Sequence, residues 1–409
     1  MGLRTIALGV IVTALAGCTT AGPQTAEKQA FNDDMAFLQK HTDVVILMDQ
    51  SGLGRVAVLP KMQGRVMTST AAGPNGYSFG WINRELVAAG KPVQHMNAYG
   101  GEDRFWLGPE GGQFSIFFDK GVAFDLEHWY TPAPVDTEAW ELVSKSARAA
   151  VLRKTMQVKN YSGTVFDLRA EREVRVLERD AALKLLNATA GADVKMVAYQ
   201  SNNKVVNVGR QPWKKETGLL SIWILGMFNP SPEITIVVPF VTGPEDQLGP
   251  AVNDTYFGKV PANRLVVKDG VLFFSGDGKY RSKIGLTPQR AKTMLGSYDA
   301  VNGVLTIVQY NKPEGVVDYV NSMWQIQDRP YRGDVVNSYN DGPTSPGGKP
   351  LGPFYELETS SPAAALAPGA SILHTHRTYH FAGSAAQLDP IAQATLGVTI
   401  AQIKAALKN

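Results

Sequence analysis

Beyond His41 the chain is built from short apolar runs separated by turn signals. Val44–Met48, Ala57–Leu59, Arg65–Thr68, Ser78–Ile82 and Phe114–Phe118 each have the length and composition of a strand. The period is cleanest in Thr164–Leu177. Phe166, Leu168, Ala170, Val174 and Val176 share one face, interrupted by Arg172, while Asp167, Arg169, Glu171, Glu173 and Arg175 share the other. Alternation of that length predicts a long antiparallel strand with one wet face. Further strands are expected at Lys195–Gln200, Leu219–Met227, Glu233–Phe240, Arg264–Val267, Val271–Ser275 and Val304–Tyr310. Helical spacing is rarer. Short helices are expected at Asp33–Lys40, Asp180–Ala188 and Thr287–Leu295. A terminal one is expected over Leu388–Lys408, where Ile391, Leu396, Ile400, Ile403 and Leu407 recur near the helical period. Leu126–Thr137 and the Pro/Gly stretch Asp341–Pro353 read as loops.

No internal repeat or composition break divides this pattern. The expectation is an all-β, mainly antiparallel domain over residues 41–409, with two packed sheets, a few short helices and a C-terminal helix. With 409 residues, 44% of them hydrophobic, the chain can bury a sizeable core. A net charge of +3 with no basic block argues against a nucleic-acid partner.

Residues 1–17 form a different unit. Arg4, an apolar run from Ile6 to Ala16 and small terminal residues read as a secretory signal, too short for a stable membrane span. It ends in Leu15–Ala16–Gly17–Cys18, which resembles a bacterial lipobox, and Cys18 is the chain's one cysteine. A lone thiol makes no internal disulfide, so lipidation of Cys18 is the expected use, with residues 18–40 as a tether. Thr19 follows, with no aspartate to favour inner-membrane retention. The expected address is the cell envelope: the periplasmic face of an outer membrane or the cell surface.

Candidate chemistry gathers in two stretches. Asn97–Phe114 holds the pairs Gly100–Gly101 and Gly111–Gly112 around Glu102, Asp103, Arg104, Phe105 and Trp106. Paired glycines allow positive φ and close approach. Aromatic rings beside a guanidinium and carboxylates make a surface that can stack a sugar and bond its hydroxyls. The same pattern also describes a hairpin packing Phe105 and Trp106 into a core. The second stretch, Phe354–Gly383, carries Leu357-Glu358-Thr359, then a proline, a Leu-x-Pro-Gly turn and an aromatic strand.

That succession resembles the C-terminal signature of aldose 1-epimerases, the galactose mutarotases. The resemblance places the family's general base at Glu358 and implies a β-supersandwich. Ser201–Val208 is similar to the family's Thr-Asn-His-x-Tyr-Phe-Asn-Leu, with Asn202 and Asn207 retained, and Gly100–Trp106 is similar to its His-Gly-Gly segment. The departures concern the acid. The family's acid histidine falls at Asn203, its groove histidine at Tyr99 and its arginine at Ser69. Ring opening needs an acid at the ring oxygen as well as a base, and only the base is retained. The whole pattern is closer to an uncharacterised bacterial lipoprotein family of unknown function related to that superfamily.

His374, His376 and His380 share a strand face, which can be a polar face, a source of a replacement acid, or, with His95 or Glu358, a metal set. No metal or cofactor is expected. The candidate catalytic groups are Glu358, His95 and His376. The candidate sugar contacts are Arg104, Trp106, Glu102, Asn203, Tyr99 and His374. Glu356 points to the same face as Glu358, so the two carboxyls can raise one another's pKa. The expected function is an envelope-anchored carbohydrate-binding protein, with sugar epimerisation by proton abstraction as its chemistry. The alternatives are a non-catalytic glycan-binding scaffold and, third, a polysaccharide lyase-like enzyme.

Overall fold

The computed structural model describes residue 2 and residues 29–345 and 347–408, so Cys18 and the signal segment lie outside the described residues. The strands are β1 (Val45–Met48), β2 (Arg55–Leu59), β3 (Arg65–Thr70), β4 (Arg104–Gly108), β5 (Glu141–Lys145) and β6 (Ala149–Lys159). Next come β7 (Val165–Val176), β8 (Lys195–Asn207), β9 (Ser221–Phe228), β10 (Ile234–Pro239), β11 (Leu265–Lys268) and β12 (Val271–Ser275). The last six are β13 (Ser282–Leu286), β14 (Met294–Asp299), β15 (Val304–Tyr310), β16 (Val336–Asn340), β17 (Tyr355–Ser360) and β18 (Ser371–Ala382). They form a ten-stranded sheet in the order β11-β12-β10-β14-β15-β18-β8-β7-β6-β5, a five-stranded sheet β13-β16-β17-β9-β4, and a small sheet β1-β2-β3. Every ladder between these strands is antiparallel.

The ten- and five-stranded sheets share their cores. Leu168 and Ala170 of β7 pack in one cluster with Ile222 and Ile224 of β9, and Ile236 and Phe274 share another with Ile284 and Leu357. The other face of the large sheet buries Val237, Phe273, Ile307 and Phe381 beneath helices Arg179–Leu186, Ala385–Leu396 and Ile400–Ala405. The small sheet packs with helix Phe31–His41, which buries Phe31, Met35 and Leu38. The folded body thus includes part of the stretch expected to be a tether.

The period-2 reading of β7 matches its packing: Phe166, Leu168, Ala170, Val174 and Val176 are all buried. Arg172, the interruption, is buried too. It donates to the Asp103 carboxylate, the Asn203 side-chain carbonyl and the Gly64 carbonyl. Such a charge is tolerated inside only because it is paired and fully bonded. The strand expected at Ser78–Ile82 is reduced to isolated bridges at Gly80 and Ile82, and two further expectations fail for tertiary reasons. Residues 287–291 make a turn and Met294–Asp299 is a strand held between β10 and β15, so ladder pairing on both sides overrides the helical pattern. Phe114–Phe118 is a turn, with Ser115 N–H bonded to Gly112 O and its rings packed inward. The terminal helix is two helices, interrupted at Gly397 (φ 74°), and the second restarts on a Thr399 capping box.

Candidate functional site

In the five-stranded sheet, alternate residues bring the two sequence stretches onto one face. Register sets Arg104 opposite Leu225, Leu225 opposite Glu358 and Glu358 opposite Asn337. The next row runs Met227, Glu356, Tyr339, Lys283, and Trp106 lies opposite Trp223 on the other side. A cleft over this face is lined by Arg104, Trp106, Trp223, Lys283 and Glu356 from the sheet, and by Glu110, Trp129, Arg281 and Trp324 from loops. Its indoles are packed on one another. Trp106 and Trp223 meet edge-on at 5.6 Å, Trp106 and Trp129 are 6.4 Å apart, and Trp129 lies 5.7 Å from Trp324.

The charges beneath this wall are paired. Arg104 donates to the Glu356 carboxylate, and its guanidinium lies 5.1 Å from the Trp106 ring centre. Lys283 donates to Glu358 Oε2 at 3.1 Å, and the Trp223 indole N–H donates to the same oxygen at 3.0 Å. The Lys283 ammonium sits 4.7 Å from the Trp223 ring centre. Burial works against this ammonium, yet Glu358, Glu110 and Glu356 outweigh it and hold Lys283 above its ordinary value. Burial, aided by the Glu358 charge and opposed by Arg104, pushes the Glu356 carboxyl up to about 8. Burial likewise raises Glu110. Two neighbouring carboxyls in unlike environments are the arrangement that separates an acid from a base.

Glu358 is 0% exposed and Glu356 6%. Capped by Lys283 and Trp223, Glu358 lies under the cleft floor, with Oε1 unpartnered among the described residues. Glu356 is the carboxyl that lines the cleft.

The other sequence candidates are distributed elsewhere. Glu102 is buried between the sheets, accepting from Ser69, Tyr199 and His380 Nε2. Asn203 is buried against Arg172 and Ser201. His374 and His376 both meet the Thr359 hydroxyl at 2.8 Å, and burial lowers them to about 3 and about 4. A side chain so strongly held neutral and walled between sheets cannot reach a ligand in the cleft. Tyr99 packs with the small sheet beneath Arg65. His95 stands outside the cleft, in an adjoining open groove, with Nδ1 at 2.8 Å from Trp129 O. Among the described residues no three or more His, Cys, Asp or Glu gather as a metal site.

The paired glycines also have a packing role. A Cβ on Gly100 (φ 101°) would lie 2.0 Å from Trp81 O, and one on Gly111 would lie 2.4 Å from Met323 O. They admit neighbouring backbone. Sequence reading missed Lys283, Trp223, Glu110 and Trp324. Lys283 sits in Ser282–Leu286, a five-residue strand with little alternation to announce it.

The chain belongs to the family described as "Family of unknown function (DUF6786)", whose profile matches residues 29–407. No match appears among curated proteins. Among solved structures it is similar to Slr1438 from Synechocystis sp. PCC 6803 (13% identity, TM-score 0.48, covering 84% of this chain and 96% of that one). It is also similar to a galactose mutarotase-like protein from Lactobacillus casei ATCC 334 (8%, 0.46, 83% and 100%). A third is a galactose mutarotase related enzyme from Lactobacillus acidophilus (9%, 0.44, 83% and 98%).

Proposed function

We propose that the chain binds a carbohydrate in the cleft over the five-stranded sheet and that Glu356 is the proton donor there. One observation carries the reading: Arg104, Lys283 and Glu356 converge with four indoles on one face. Rings with guanidinium, ammonium and carboxyl neighbours suit a sugar's apolar face and its hydroxyl rim. The role assigned to Glu358 changes accordingly. Sealed by Lys283 and the Trp223 indole, it is held away from the ligand, and Glu356, its carboxyl raised chiefly by burial, supplies the acid that the mutarotase-like motifs lack. The chemistry is proton transfer to a sugar oxygen, as in anomer exchange or epimerisation.

Anomer exchange of aldoses followed by proton NMR tests this. Wild-type protein should accelerate exchange, and Glu356→Gln should lose about 10²-fold or more while keeping sugar affinity. Affinity without acceleration in the wild type would reduce the protein to a glycan-binding scaffold.

The proposal also sets the chain on a membrane surface through acylated Cys18, on the Leu15–Cys18 motif alone. Radiolabelled palmitate should enter the wild-type protein and not Cys18→Ser; equal labelling would remove the anchor.

A further inference from the structure

We infer that the cleft is the closed end of a longer binding track and that its ligand is a neutral oligosaccharide; this rests on the carbohydrate reading above. Met96, Leu126, Trp129, Thr344 and Leu351 wall both the cleft and the open groove beside it, so the two are continuous. The cleft offers only about 70 Å³, whereas the groove offers about 920 Å³. Small-molecule sites occupy roughly 300–1,000 Å³. The cleft alone therefore admits the end of a ligand, and most of the ligand's volume must lie in the groove.

The junction has the chemistry of a sugar track. Trp129 stands at it, 6% exposed, and its indole N–H has no acceptor among the described residues. An unpaired buried donor is costly, and a hydroxyl arriving between cleft and groove would relieve it. Further out, the Tyr130 ring is 45% exposed, lies 4.6 Å from the groove residue His95, and accepts a hydrogen bond from Gln94 on its hydroxyl. It is an aromatic platform held in place at the groove's edge. Charge decides the class of sugar. The groove, which takes most of the ligand, carries Glu85 and Glu127 against Lys349, a lining that repels a polyanion.

Calorimetric titration with glucose, cellotetraose, maltotetraose, N-acetylglucosamine, its β-1,4-linked tetramer and tetragalacturonate tests the inference. One neutral tetramer should bind at least about tenfold tighter than its own monomer. Y130A combined with Q94A, both at exposed positions, should bring the tetramer to within about threefold of the monomer while leaving the monomer unchanged. Equal affinity for monomer and tetramer would overturn the track and leave the carbohydrate reading standing. Tighter binding of tetragalacturonate would overturn the neutral class. If no probe binds, the carbohydrate reading falls and takes this inference with it.

Discussion

Glu356 and Glu358 are two residues apart on one strand and have different fates. Glu358 keeps a lysine and an indole on one oxygen, whereas burial and the neighbouring charge raise Glu356 to about 8. The direction of the pH effect follows. Glu356 holds its proton below about pH 8 and loses it above, so acid-assisted exchange should be flat at neutral pH and fall about tenfold per unit beyond 8. A rate that rises through that window would remove Glu356 as the donor. Glycine positions allow a sharper test of packing. A Cβ on Gly226, in the middle of β9, would lie 2.3 Å from Glu102 O. Gly226→Ala should lower the thermal midpoint by several degrees, since backbone must move to admit the methyl.

At the scale of elements, the cleft depends on how β13, β17 and β9 are stitched by one ion pair. Lys283→Met would leave Glu358 buried with the Trp223 N–H alone, and removing one partner of a buried pair costs about 3–5 kcal/mol. The double variant Lys283→Met, Glu358→Gln should recover most of that loss in denaturant unfolding, because the uncompensated charge is gone. No recovery would mean that lysine packing, not charge, matters. Much at this scale was legible. The bounds of β12 and β15 follow from their apolar runs, and the face of β7 from alternation. The short site strand β13 and the strand β14 were not, because each is held by a partner far away in sequence, β16 for the first and β10 for the second.

Across the whole molecule, the space between the sheets is partly polar, and this governs the acid response. His374 and His376 are neutral there, lowered to about 3 and 4 by burial. The unfolded chain takes up protons near pH 6.5 and the folded chain does not. Stability from these groups is therefore present above 6.5 and declines as pH falls from there towards 4, by up to about 1.4 kcal/mol per unit for each. H374Q combined with H376N should flatten the midpoint between pH 7 and 5; an unchanged slope would assign the acid response to other groups.

Local pattern determined the class of this protein: antiparallel strands from alternation and turn residues, terminal helical segments from their period, and the residues 97–114 and 354–383 as the chemically loaded stretches. Those signals are carried by neighbours in sequence, which is why one chain suffices to read them. The tertiary structure decided which of the loaded side chains share a cleft. Alternation puts Arg104 and Glu356 outward while Asp103 and Thr359 point between the sheets. The sign of that alternation, and the arrival of Lys283 from a strand some seventy residues away to close over Glu358, are set by register across the sheet. Register is a property of pairs of strands, and no single stretch contains it.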